Sequence, residues 1–556
     1  MRRYKSIPLA LVVFTLSSTV FGLRAAAEES RARIANPLPE SVLRRIRLLP
    51  IQHNGRTKPF DSFAREALEQ VTGNPEWKGQ DPAQTMASLM VWPDIWGEEE
   101  ILSIPFVPLR EAIGMDAHKK RTSMNELLST RKLMKLLPAI VQKQQRDEKL
   151  SMLENETMDA FGRFSTLTRI FSHDVALVPP HGADTPVWVS VTRAEGYSAQ
   201  EQDAIRQTWN AFILAVREGE EAKIAPAFDH LQARLHAANP AAVPAHWRLN
   251  LEVFYNHVRP FTIARWIYVL AVVLLLVSLV RNAPSVGRVG IGVFVLAAAV
   301  HGGGIALRVI LSRRPPVANF YETMLWLPFV AVVTSLVFER LYHARYFTLA
   351  SAILAAMVLT LSSHVPLDSS ITPIVAVLRS NYWLTVHVLT IVASYGALAL
   401  AVVLAHIDGV MFLSNAQERS RQALGFFVYR TLQVGVVLLA SGIMLGAVWA
   451  NASWGRYWGW DPKETWALIT LLWYLALLHG RFAGWLRGVG VSLATIAGFF
   501  LLLMTYYGVS FYLVGLHSYA GGNAKPLPVL LIGYVIAELS FLGVVAASAV
   551  RRGRLA

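Results

Sequence analysis

Two regimes of hydrophobic patterning divide the chain. Residues 28 to about 258 contain no apolar run of 18 residues. They alternate charged helical stretches (Met134 to Glu156, Ala199 to Arg217) with breaks at Pro82 and Pro179-Pro180. From Phe261 onward, apolar runs recur at spanning length, each needing roughly 20 residues to cross about 30 Å of hydrocarbon. The pattern predicts nine spans, at 263–280, 289–311, 322–341, 346–363, 383–405, 428–449, 465–480, 489–513 and 527–549. Ahead of both regimes, Arg2, Arg3 and Lys5 precede an apolar run from Ile7 to Leu23, and Ala25-Ala26-Ala27 offers a small-residue cleavage site. That is the layout of a secretory signal, or of an uncleaved anchor helix, and either puts the following segment outside. The expected organisation is a signal peptide at 1–27, an extracytoplasmic, mostly helical domain at 28–260, and a transmembrane domain at 261–556. The fold class is an all-α polytopic membrane protein.

Composition agrees with that division. Of the 556 residues, 54% are hydrophobic and 16% charged, whereas soluble chains carry about a quarter charged residues. The net charge of +14 does not indicate nucleic acid, because the arginines gather at the ends of apolar runs, where anchoring to the cytoplasmic face explains them. With the segment after the signal outside, the loops following spans one, three, five and seven and the C-terminus are cytoplasmic. They hold Arg281, Arg288, Arg340, Arg345, Arg419, Arg421, Arg430, Arg481, Arg487, Arg551, Arg552 and Arg554. The opposite loops hold only Arg313, Arg314, Arg379, Arg456, Lys463 and Lys525. This bias independently supports the same orientation. The chain has no cysteine, so any thiol chemistry belongs to a partner.

The outer loop between spans six and seven reads Trp454-Gly455-Arg456-Tyr457-Trp458-Gly459-Trp460-Asp461-Pro462-Lys463-Glu464-Thr465-Trp466. Five aromatics in thirteen residues fit either an interfacial aromatic belt or a wall for a planar, partly anionic ligand. Interleaved glycines permit close backbone approach, indole N–H groups remain available as donors, and Arg456 and Lys463 can pair with carboxylates. Asp461 and Glu464 are placed to fix the loop and to open the following helix, where acidic residues complement the helix N-terminus.

The run Trp454 to Glu464 resembles the WWD signature of the heme-handling membrane proteins of cytochrome c biogenesis. Pro316 to Glu322 (PVANFYE), Leu378 to Val388 (LRSNYWLTVHV) and His517-Ser518-Tyr519 extend the likeness over roughly residues 265–550. Within that group the chain is most similar to the CcsA (ResC) family of System II. The resemblance implies that the loop, through Trp454, Trp458, Trp460 and Asp461, holds heme b at the outer face. It implies His387 and His517 as flanking iron ligands, and the predicted topology puts both on the loop's side of the membrane. His479 matches the family's intramembrane histidine, which helps hold a second heme on its way outward.

The implied activity is a holocytochrome c synthase (heme lyase) that attaches heme to the CXXCH thiols of apocytochrome c. The implied partners are a CcsB (ResB)-like membrane protein, a thiol-reducing thioredoxin-like protein and membrane lipid. Rival readings are a heme exporter, a System I type heme-delivery protein, and a quinone or small-molecule transporter. His301, mid-span between Val300 and a triple glycine, is a second-rank candidate by depth alone, or a polar contact between helices. His343, His364 and His406 read as boundary residues. Leu49 to Phe60 (LPIQHNGRTKPF) resembles an extension in some enlarged members; His53 within it reads as structural.

Overall fold

The computed structural model describes residues 37–181, 187–365, 367–373, 382–517 and 527–553; the signal segment at 1–27 lies outside them. The chain divides into two units, Met1–Asn256 and His257–Ala556.

Among the described residues the first unit is mainly helical, with two short antiparallel strand pairs: the hairpin Pro50–His53 with Arg56–Pro59, and Leu102–Ser103 with Arg121–Thr122. The charged stretch from Met134 to Glu156 is two helices, Lys132–Gln145 and Met152–Phe171. They part where Asp147 turns to φ 56°, and the second opens on a capping box between Ser151 and Glu154. Such a cap stabilises a helix start by about 1 kcal/mol, enough to place a boundary that periodicity alone missed. The Leu49–Phe60 phrase forms the hairpin. Its Arg56 makes paired contacts of 2.6 and 2.7 Å to Glu252, and fully buried Lys58 meets Glu66 at 2.5 Å. Burial pushes the Glu66 carboxyl up, but His53 and Lys58 outweigh it and hold it below the ordinary 4.5. His53, 3.3 Å from Glu66, is thus part of a hydrogen-bonded polar core.

The second unit is a bundle of nine helices among the described residues: α1 Pro260–Val280, α2 Pro284–Ser312, α3 Phe320–Tyr342, α4 Tyr346–His364, α5 Tyr382–Leu413, α6 Glu418–Trp454, α7 Pro462–Phe482, α8 Val489–Leu503 and α9 Val529–Arg551. Among the described residues eight helices are long and apolar enough to cross a membrane; the chain is a multi-pass membrane protein. The exception is α7, which forms where a span is expected but carries Trp466, Thr470, Trp473 and Tyr474 in place of aliphatics.

Local chemistry sets the helix ends. Pro260, Pro284 and Pro462 occupy first-turn positions, where the missing N–H costs nothing. The α6 helix stops at Gly455 in the left-handed conformation (φ 70°), whose N–H closes on Asn451. Beyond α8 the chain runs through a π-helical stretch, Met504–Gly508, and a last turn, Val509–Tyr512.

Polar anchors lock the bundle. Glu322 of α3 is fully buried between Arg308 (2.8 Å) and Arg314 (2.5 Å). The same arginines donate to the carbonyls of Ser369, Ser370 and Thr372, so one ion cluster ties α2 and α3 to the segment after α4. Arg421 and Ser492 similarly hold Asp408 of α5, at 3.0 and 2.7 Å. The α5–α6 contact is close because Gly435, Gly442 and Gly446 of α6 lie against Leu398, Ile391 and His387 of α5.

Candidate functional site

A cavity of about 290 Å³ opens where α5, α6, the start of α7 and the π-helical stretch converge. His387 and Ile391 of α5, Trp449 and Trp454 of α6, Tyr457 and Trp458 of the loop, Lys463 of α7, Tyr506 and His517 all line it. Phe320 closes one side and stacks on Tyr506 at 4.7 Å between ring centroids.

His387 enters the cavity one turn into α5, and its ring fits because residue 446 is glycine. A Cβ there would lie 2.6 Å from His387 Cε1. Its Nδ1 is 2.8 Å from the Gly442 carbonyl. A carbonyl can only accept, so Nδ1 carries the proton and Nε2 keeps a lone pair. His517 lies beyond the last turn of the α8 extension, and its Nδ1 is 2.8 Å from Asp461 Oδ2. The same logic applies, with a carboxylate as acceptor. Neither Nε2 has a hydrogen-bond partner among the described residues. Trp449 is in ring contact with both histidines, at centroid distances of 6.3 Å and 6.2 Å.

The loop is built around two carboxylates. Asp461 caps α7, and Glu464 completes the capping box while also accepting from Gly459 N at 2.8 Å. The other oxygen of Asp461 takes Leu516 N at 2.7 Å, so one side chain fixes both the helix start and the strand of chain that carries His517. Burial pushes the Asp461 carboxyl up, but the His517 ring and the N–H groups of Leu516 and Lys463 hold it below the ordinary 3.8. It therefore stays charged as the partner of His517. Lys463 Nζ donates to the Tyr506 carbonyl (3.2 Å) and Ser510 Oγ (2.9 Å), contacts made in and just beyond the π-helical stretch.

The residues singled out in the sequence separate into groups. Trp454, Trp458, His387 and His517 come together in the cavity, and Asp461 stands behind His517. Trp460 is 69% exposed and, like Arg456, is not in the cavity lining. His479 lies near the far end of α7, exposed, with Nδ1 on the Leu475 carbonyl. It shares no cavity with the other two histidines. His301 is fully buried among Phe261, Tyr268 and Phe329, with ring nitrogens on Tyr268 Oη (3.4 Å) and the Leu325 carbonyl (3.1 Å). It is a satisfied contact between helices. His406 is more than a boundary residue: its Nε2 is 2.8 Å from Glu538 of α9, pairing two helices inside the bundle.

Four contributors were not picked out by the sequence reading. Gly442 and Gly446 stand in the spacing G-x-x-x-G, which signals close helix approach in membranes. Trp449, one turn before the loop, looks like an ordinary span residue in one dimension. Tyr506 reaches the cavity through the π-helical stretch, for which no sequence signal exists.

The cytochrome C assembly protein family matches residues 317–517, a range that contains every residue lining the cavity but Pro315. CcsA, the cytochrome c biogenesis protein of Parasynechococcus marenigrum, is 35% identical over 248 residues, 81% of its length and 39% of this chain. CcsA of Synechococcus sp. (strain CC9902) is 32% identical over 298 residues, 97% of its length and 47% of this chain. The chain belongs to the CcsA family of cytochrome c biogenesis proteins. As a member of the CcsA family it handles heme in cytochrome c biogenesis. Protein NrfI of Wolinella succinogenes is 30% identical over 504 residues, which take in 85% of this chain and 54% of NrfI. The likeness to NrfI therefore extends N-terminal to the CcsA-like portion, while the chain spans about half of NrfI's length. The solved structure of Cytochrome c Heme Lyase CcmF superposes with a TM-score of 0.35 at 18% identity, over 53% of this chain and 55% of that one, too loosely to bear on the site.

Proposed function

We propose that the cavity holds heme b between His387 and His517 and presents it for covalent attachment to apocytochrome c, as a heme lyase. The observation that carries this reading is the matched state of the two rings. Each donates through Nδ1, to the Gly442 carbonyl or to Asp461, and so keeps an Nε2 lone pair on a ring that lines the cavity. Neutral imidazoles with an acceptor behind them are the form in which histidine ligates a metal, and paired imidazoles suit heme iron. The chemistry of the lining agrees: the walls are aromatic, and Lys463 stands among them for an anionic ligand.

The protein supplies position, and the thiols come from the CXXCH motif of the acceptor, since this chain has none. Each thiol adds across one vinyl group: sulfur bonds to the vinyl carbon next to the ring, and hydrogen goes to the terminal carbon. No electrons are exchanged with the protein in that addition. Holding the two reactants in register is the main catalytic contribution. A thioredoxin-like protein would keep the acceptor thiols reduced.

His479, exposed on α7 and remote from the cavity, is the residue through which a second heme would be held on its way outward. A lone exposed histidine supplies one axial ligand, so that site requires a CcsB-type membrane partner. The first unit would lie in the periplasm behind the signal segment, with the C-terminus in the cytoplasm of a bacterial inner-membrane protein.

The test is spectroscopic and then covalent. The purified chain, alone or with a CcsB-type partner, should show a bis-imidazole Soret spectrum that is lost when His387→Ala and His517→Ala are combined in a folded protein. Co-expression with an apocytochrome should yield covalent heme on a denaturing gel. An unchanged spectrum in the double variant removes the ligand assignment, and heme binding without thioether formation leaves an exporter.

A further inference from the structure

The first unit has a cavity of its own, of about 440 Å³, within the range of roughly 300–1,000 Å³ usual for small-molecule sites. It lies where the helix Glu40–Ile46, the last turns of the helix Glu221–Ala238 and the start of the helix His246–Val258 meet. Its body is apolar: Leu49, Leu177, Trp188, Leu235 and Leu249 line it, each 5% exposed or less. Four prolines of the lining add backbone with no N–H to donate. Beside the indole, the polar side chains at its border are Arg45, Gln232, His236 and His246. They offer donors. Asn250 Nδ2 is 3.1 Å from the His246 carbonyl, which only accepts, so that end of the amide is the nitrogen. The same nitrogen is 2.8 Å from His246 Nδ1; Nδ1 therefore accepts, and Nε2 carries the hydrogen. That is the reverse of His387 and His517, whose Nδ1 donates. Arg45 spends only Nη2, on Asp229 and on Gln232 Oε1, so its other N–H groups and Gln232 Nε2 have no partner among the described residues. His236 has none there at either ring nitrogen. The side-chain acceptors, by contrast, are used in these same bonds.

We propose that this cavity binds an aliphatic monocarboxylate, with the chain among the leucines and Trp188 and the carboxylate at Arg45, Gln232 and His236. Those three donors form one wall. Gln232 and His236 are one turn apart on a single helix face, and Gln232 is bonded to Arg45. One polar wall beside an apolar body suits a ligand with one polar end. An excess of donors selects a head group that only accepts. A peptide would bring nearly as many N–H groups as carbonyls, and the side chains here leave little to receive them. Asp229 offsets the charge of Arg45, so the carboxylate is read by hydrogen bonds more than by net charge. His246 presents an N–H at Nε2 in place of a metal-binding lone pair, which disfavours a porphyrin. The site is independent of the heme reading and gives the first unit a ligand of its own.

The test must locate the ligand, because detergent also takes up fatty acids. Dodecanoate carrying a diazirine is photolysed with the full-length protein in detergent, and labelled peptides are mapped by mass spectrometry. Residues 232–249 should be labelled, and excess plain dodecanoate should remove that label while leaving any on the spanning helices. The methyl ester of the same probe keeps the chain and a carbonyl but loses the charge. It should label 232–249 at least about tenfold less, the scale of one charge-assisted hydrogen bond. Arg45→Met and His236→Leu should each shrink that ratio. Equal labelling by acid and ester in wild type would overturn the proposal without any variant having to fold. A ratio that survives both substitutions would overturn it as well, since the head group is then read elsewhere. So would an absence of label at 232–249, or a label there that hemin removes and dodecanoate does not, which would give the cavity to a porphyrin.

Discussion

Asp461 performs two tasks with one carboxylate. Oδ2 takes the proton of His517 Nδ1 at 2.8 Å and Oδ1 takes Leu516 N at 2.7 Å. His387, by contrast, leans on a neutral carbonyl. The two imidazoles therefore lean on unlike acceptors, one charged and one neutral. Asp461→Asn keeps the shape and removes the charge. Heme affinity should fall about 10- to 100-fold, as for other partners behind a metal-bound histidine, with helix content unchanged. A Soret titration measures it, and an unaltered isotherm would show that the carboxylate serves the loop alone. Gly446 offers the complementary case. A methyl group there meets the His387 ring at 2.6 Å, and neither rigid helix can move far. Gly446→Ala should therefore cost the low-spin bis-imidazole spectrum while leaving the protein folded, and retention of that spectrum would mean that the ring has room to turn.

At the scale of elements, the spans were legible because 3.6-residue helices in hydrocarbon need long apolar runs and nothing else imitates them. The predicted 346–363 and 489–513 correspond to α4 at Tyr346–His364 and to a helical run ending at Tyr512. The cap of α7 was readable too, from Asp461, Pro462 and Glu464. What the sequence hid was lateral. Nothing in one dimension shows that Arg308, Arg314 and Glu322 close on the Ser369–Thr372 backbone, or that Trp449 faces the two histidines, because those pairings depend on how helices turn about their axes. The ion cluster gives an element-scale prediction. Glu322→Gln leaves two buried guanidinium groups without an anion, and breaking such a cluster costs about 3–5 kcal/mol. The variant should lose its thermal transition in detergent by many degrees or fail to accumulate. A wild-type melting profile would mean that the arginines find their balance among carbonyls.

For the whole molecule, the charge bias and the helix count make a single statement about sidedness. With all nine helices crossing, α7 included, the proposed outer start places the end inside. A reporter active only in the cytoplasm should work when fused after Ala556 or inserted near Asn282, and should fail near Asp368. The reverse pattern would turn the Trp loop to the cytoplasm and remove any access to exported apocytochromes. The same arrangement separates His479 from the cavity by most of the length of α7, about 24 Å at 1.5 Å per residue from Lys463. A single heme cannot touch both places, so the heme proposed to pass His479 on its way outward is a second one.

The π-helical stretch, Met504–Gly508, carries one residue more than an α-helical path of the same rise would need. That surplus is absorbed inside the stretch. Removing a single residue there should let the helix relax to α geometry over the same rise and leave the following segment in place. Ser510 would stay on Lys463, and His517 on Asp461. Such a deletion should therefore keep heme binding, and a loss measured at the Soret band would show that the bulge itself shapes the cavity around Tyr506. The stretch is slack in the helix: one residue can be gained or given up without moving the chain's last histidine.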